Sequence, residues 1–149
     1  MSEAAPILRS VDVRTTPERL WQLLTEPDAL VRWWPDVAEL EPREGGRIRM
    51  AFAANSSVVN GRVTRFDPPT GLGFTWEREQ SPGAVTQVEF TVTDLGGGRC
   101  RVDVVHSGWE AAPELRPLHD LGWAHFLTCL ADLAEGRPVD KTFPKREEA

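Results

Sequence analysis

Histidine is the side chain that titrates near neutral pH, and this chain has three, His106, His119 and His125. Two of them stand where chemistry could follow. His106 ends a run in which Cys100, Val102 and Val104 alternate with more polar residues, and His119 forms an i,i+4 pair with Trp123 on the flank of an apolar helical stripe. An imidazole in such a place is either a buried, hydrogen-bonded structural group or a polar contact for a ligand carbonyl or hydroxyl at one end of an apolar cavity. If both rings reach one cavity, one of them could act as an acid or base. The alternation sends no carboxylate clearly inward to orient either ring, so no catalytic residue is assigned. His119 and His125 diverge by about 120° around a helix, which argues against a shared metal, and no metal site or cofactor is assigned.

The second chemical resource is aromatic. Trp33, Trp34, Trp76, Trp109 and Trp123 form the aromatic inventory of such a cavity, since an indole can wall a pocket while offering one hydrogen bond. Trp21 and Trp33 read better as core packing.

These residues need elements to position them. The stretch 113–135 places Leu115, Leu118, Gly122, Phe126, Cys129, Leu130 and Leu133 on one stripe at about 100° per residue. Asp120, Ala124, Thr128, Ala131 and Asp132 fall opposite, so this is an amphipathic helix that needs a surface to lie on. The rest of the chain supplies one. A strand over 7–13 precedes a helix capped by Thr15 or Thr16 with Pro17 in its first turn. A second short helix starts at Pro27 and stops before Pro35.

Strands follow over 47–52, 58–66, 72–77, 87–93 and 100–107, separated by turn signals at 67–71, 81–83 and 96–98. Gly61 marks a bulge or a close backbone approach. Val58, Phe66 and Val105 break the alternation, which bulges or covered patches would explain. Arg47, Arg49 and Arg101 are expected to face Glu77, Glu89 and Asp103 on the solvated side. Clean alternation with short turns predicts an antiparallel sheet with one apolar face. The fold class is α+β, with that sheet under the last helix.

Composition narrows the function. The 149 residues carry a net charge of −6 with scattered basic residues, unlike the basic stripe a nucleic-acid binder uses. No apolar run is long enough for a membrane span, and the first residues lack a signal-peptide pattern. Cys100 and Cys129 are too few for a disulfide framework and read as buried free thiols. A cytoplasmic location is expected. Residues 1–136 read as one domain, and 137–149 as a polar, mobile tail.

Particular stretches carry a family resemblance: 16–21 (TPERLW), 27–35 (PDALVRWWP), 44–48 (EGGRI), 61–63 (GRV), 74–76 (FTW), 96–102 (GGGRCRV), 106–109 (HSGW) and 121–123 (LGW). In this order they resemble the activator of Hsp90 ATPase homologue 1-like family of the SRPBCC, START-related and Bet v 1-like superfamily. The resemblance implies a helix-grip fold, in which a curved antiparallel sheet wraps around a long C-terminal helix and leaves a cavity, with two short helices after the first strand. It implies a small hydrophobic ligand, lipid-, sterol- or polyketide-like, held by Trp34, Phe52, Trp76, Phe90, His106, Trp109, His119, Trp123 and Phe126. The alternatives it carries are a polyketide cyclase or aromatase and an Hsp90 co-chaperone. A homodimer is also considered, with apolar surface around 107–110 as the seat of a second copy.

Overall fold

The computed structural model describes residues 4–142. Strand β1 (Ile7–Val13) leads into α1 (Pro17–Thr25) and α2 (Pro27–Trp33), and β2 to β7 follow as Val37–Leu40, Arg47–Phe52, Ser57–Asp67, Gly71–Arg78, Thr86–Gly96 and Arg99–Ser107. The C-terminal helix α3 spans Arg116–Ala134. All strands pair antiparallel in one seven-stranded sheet of order β1-β7-β6-β5-β4-β3-β2. Helix α3 packs against β1, α1 and α2, which is the helix-grip arrangement.

Local chemistry sets these boundaries. Thr16 caps α1 by accepting from the Arg19 amide at 3.1 Å, with Pro17 at the first position. Trp34 ends α2 with φ −131° and ψ −94°, outside the helical region that the following Pro35 disfavours. That break separates two adjacent indoles. Trp33 turns into the core and donates Nε1–H to the Leu23 carbonyl at 2.8 Å, while Trp34 lies toward the sheet.

The last helix starts later than the sequence pattern predicts. Two short 3₁₀ turns, Trp109–Ala111 and Pro113–Leu115, come first. Pro117 has no N–H to give to a carbonyl four residues back, so it fits only the first turn of an α-helix. The predicted stripe also needs two amendments: Leu127 belongs to it, and Ala131, assigned to the outer side, is buried because short helices as well as the sheet enclose α3.

Two irregularities resolve on the sheet. Gly61 marks a close approach, since a Cβ there would stand 1.9 Å from the Thr75 carbonyl oxygen. The bulge lies further on, between Val63 and Arg65, and it turns Phe66 back to pack edge-on against Trp21 at 5.4 Å. The outward arginines find other partners than expected. Arg101 bonds Asp12, directly opposite on β1, at 2.8 Å rather than Asp103 two places along its own strand. Glu89 lies 3.6 Å from Arg65, and Glu77 accepts from the Gly83 amide.

Strand β2 was not evident in the sequence. Of the tail expected to be mobile, residues 137–142 are placed: Lys141 donates to the Val31 and Pro35 carbonyls at 2.6 and 2.9 Å, and Val139 packs on the core. Residues 143–149 lie outside the described residues. No helix among the described residues is long and apolar enough to cross a membrane.

Candidate functional site

The inward face of the sheet is built by parity. Leu72, Phe74 and Trp76 on β5 alternate inward, as do Val88 and Phe90 on β6 and Val102, Val104 and His106 on β7. Register then places His106 between Ile7 and Val88. Between this sheet, the end of α2 and the first half of α3 runs a groove of about 860 Å³, within the range of small-molecule sites. Its apolar walls are Trp34, Phe52, Trp76, Leu118, Trp123 and Phe126. Trp34 is the centre of this cluster, stacked on Trp76 at 5.5 Å with 8° between the planes and 4.9 Å from Trp123.

Six of the nine expected ligand residues therefore meet at one surface, His119 included. Phe90, His106 and Trp109 do not. They are fully buried behind the wall, with Phe90 packed edge-on against Trp34 and Trp123 and Trp109 donating Nε1–H to the His106 carbonyl at 2.8 Å. Strand parity gives the side of the sheet but not the depth, and the rings of Trp34 and Trp123 lie over Phe90. Trp109 turns inward, so its indole adds no apolar surface to the 107–110 loop.

The hydrogen bonds fix the state of both histidines. An indole N–H only donates, and Trp123 Nε1 lies 3.0 Å from His106 Nδ1. That nitrogen must be the acceptor, which puts the proton of neutral His106 on Nε2. From there it is donated to Thr86 Oγ1 at 2.7 Å, and Thr86 donates in turn to the Trp76 carbonyl at 3.2 Å. His119 is the mirror case. Its Nδ1 faces the Leu115 carbonyl at 2.8 Å and must carry the proton, while Nε2 accepts from Trp76 Nε1 at 3.2 Å.

Both rings are thus neutral, with opposite tautomers and every ring nitrogen engaged. Burial pushes His106 well below its ordinary pKa, and the neighbouring His119 adds to this. Burial likewise lowers His119, against the raising effect of its bond to Leu115 and with a further push from Arg78. The rings sit 5.5 Å apart, and protonating either would set two donors face to face. Burial also raises the Cys100 and Cys129 thiols, the opposite of what a nucleophilic cysteine needs. Among the described residues, no group of three or more His, Cys, Asp or Glu could hold a metal.

The charged members of the groove were missed in the sequence. Arg78, Lys141 and Arg32 stand around it with Asp36. Arg78 ends β5, two places after Trp76 on the inward side, and that parity was the one available signal. Lys141 comes from the tail, where no periodicity points anywhere. A second concavity, of about 850 Å³ on the outer sheet face, is walled largely by charged side chains such as Glu39, Arg47, Arg49 and Glu77 and has the character of a solvated surface.

Comparison with known proteins agrees with this architecture. The chain resembles the Aha1 dimer of Colwellia psychrerythraea, with a TM-score of 0.77 and 23% identity over 88% of this chain and 96% of that one. It also resembles DynU16, from the dynemicin biosynthetic locus, at a TM-score of 0.77 and 22% identity over 89% of this chain, spanning about half (48%) of DynU16. At these identities the likeness is one of fold. An uncharacterized protein of Mycobacterium tuberculosis is 26% identical over 151 residues, which cover 91% of this chain and 89% of that protein. The model of the Activator of Hsp90 ATPase homolog 1-like proteins matches residues 14–135, most of the length over which the sheet closes on α3, and the chain belongs to that family.

Proposed function

We propose that this protein binds a small, largely apolar molecule in the groove between the sheet and the first half of α3. The observation that carries the reading is the continuous aromatic wall of Trp34, Phe52, Trp76, Trp123 and Phe126 around about 860 Å³ of space. Trp34, Trp76 and Trp123 show only an edge of their rings, and Phe52, Leu118 and Phe126 are partly uncovered, so the space is an apolar concavity of the size that small-molecule sites have. Gly122 points the same way, because a Cβ there would meet nothing within 4 Å.

The groove supports binding over catalysis. A cyclase or aromatase needs an acid or base free to exchange protons with its substrate, and both imidazoles spend their nitrogens on protein partners. A co-chaperone role rests on the family name, and adding the protein to its host's Hsp90 while following ATPase rate tests it. Free, buried cysteines fit a reducing cytoplasm, and the dimeric Colwellia relative makes sedimentation a direct check for a second copy.

The decisive experiment screens fatty acids, sterols and aromatic polyketides by thermal shift, with native mass spectrometry on the purified protein. We expect at least one class to raise the Tm of the wild type and to raise that of Gly122→Leu less, since the added side chain takes up part of the groove. A panel without any shift, or equal shifts in the variant, overturns the reading.

A further inference from the structure

Resting on that reading, the groove's hydrogen-bonding groups specify the polar end of its ligand. They are donors. Trp34 is only 4% exposed, yet its Nε1–H has no acceptor among the described residues, whereas Trp33, Trp76, Trp109 and Trp123 each have one. A buried N–H without a partner costs stability unless something supplies an acceptor.

Arg78 makes the second, independent observation. It lines the same groove and is half-buried. The one hydrogen bond of its guanidinium among the described residues is a 3.3 Å contact to Ser57 Oγ, and no described carboxylate pairs with it. A guanidinium carries five N–H donors in a planar fork shaped for a carboxylate. Its positive charge reaches the site, since it helps hold His119 neutral.

The acceptors that could compete are already engaged. Both nitrogens of His119 are used. The carboxylate of Asp36 accepts from the Ala53 amide at 2.7 Å and lies 3.6 Å from Lys141.

We infer that the ligand is an organic carboxylate on an apolar body, its negative charge paired with Arg78 and a ligand oxygen accepting from Trp34 Nε1–H, with the aromatic wall around the body. A carboxylate entering a water-poor groove needs a counter-charge and donors, and this groove presents both with no anion of its own at Arg78. The body can come from two sources, an aliphatic chain or a fused aromatic ring system, and both present the same head.

The test is calorimetric titration at neutral pH of two matched pairs, dodecanoate with dodecanol and naphthoate with naphthylmethanol. For the wild type we expect the acid to bind at least about tenfold tighter than the alcohol in one pair or both, the size of a charge-assisted hydrogen bond. The pair that binds tighter names the source. Arg78→Gln should abolish the preference, its loss of affinity falling far more on the acid than on the alcohol, and Arg78→Lys should restore part of it. Trp34→Phe should weaken acid and alcohol alike, as a lost neutral donor would. Equal binding of acid and alcohol, or a preference that survives in Arg78→Gln, overturns the carboxylate assignment and leaves the apolar groove standing. Failure of all four probes on a wild type that also fails the wider thermal-shift panel overturns both.

Discussion

The two halves of α3 carry one continuous apolar stripe and meet different neighbours. In the second half Leu127, Leu130 and Leu133 are buried in the core. In the first half Leu118, Gly122 and Phe126 belong to the same stripe by spacing, yet they are only partly covered and line the groove. A helix laid across a twisted sheet and two short helices fills its contacts at one end and outruns them at the other. The groove is therefore an unfinished portion of the core, and its chemistry follows from that origin. It is aromatic because core residues wall it, and cationic where β5 and the tail reach its mouth.

The difference between the halves has a measurable size. Leu130→Ala removes a fully buried side chain and should cost about 2–5 kcal/mol, readable as a lower denaturation midpoint with unchanged m-value. Leu118→Ala, facing the groove, should cost about 1 kcal/mol or less and lower ligand affinity instead. If the two substitutions destabilise equally, the first half of the helix is core and the groove is closed.

How much of this was legible in the sequence follows the same division. Period-2 patterns are set by burial on one face, so the sheet from β3 to β7 and the inward side of Trp76 and His106 could be read directly. Strand β2 is only four residues long, with burial on a single member, Leu40, too short for a pattern to show. The groove was half legible. Trp34, Trp76, His119 and Trp123 lie on its wall because they occupy inward positions at the end of α2, on β5 and in the first half of α3. Phe90 and Trp109 share that inward sense and lie deeper, because depth depends on which ring covers which. Arg78 and Lys141 escaped notice since a charged residue in a strand or tail reads as surface. Only the fold brings them beside an indole.

The histidines extend the comparison to pH. His106 lies behind the wall and His119 on it, and both are held neutral in the folded protein, below their ordinary pKa. Below about pH 6.5 the unfolded chain binds protons at these rings and the folded chain does not. Stability is therefore full above that value and falls as pH drops through it, by up to about 1.4 kcal/mol per pH unit for each histidine. The paired carboxylates, Asp12 and Asp120 among them, are held below their ordinary range by arginine partners, so their contribution is lost only at lower pH. Denaturant titrations between pH 7.5 and 5 should show this slope. His119→Gln, which keeps an acceptor for Trp76, should halve it with little change at pH 7.5. A flat profile in the wild type would mean that both rings reach water in the folded state.

The smallest expected effect is the most direct probe of the space itself. Glycine inside a helix costs roughly 0.5–1 kcal/mol relative to alanine, and Gly122 sits seven residues into α3. A methyl group there meets nothing within 4 Å, so Gly122→Ala should stabilise the protein by about that amount, seen as a rise in Tm of roughly 1–4 °C for a chain of this size. Gly61, where a Cβ would strike the Thr75 carbonyl, offers no such gain. A folded protein that forgoes easily gained stability on one wall of a groove has a reason to keep that wall low. The same substitution should weaken an apolar ligand a few-fold, trading affinity for stability in opposite directions within one methyl group. Loss of stability in Gly122→Ala would show that the position is packed, and the division between the filled and open halves of α3 would have to be drawn elsewhere.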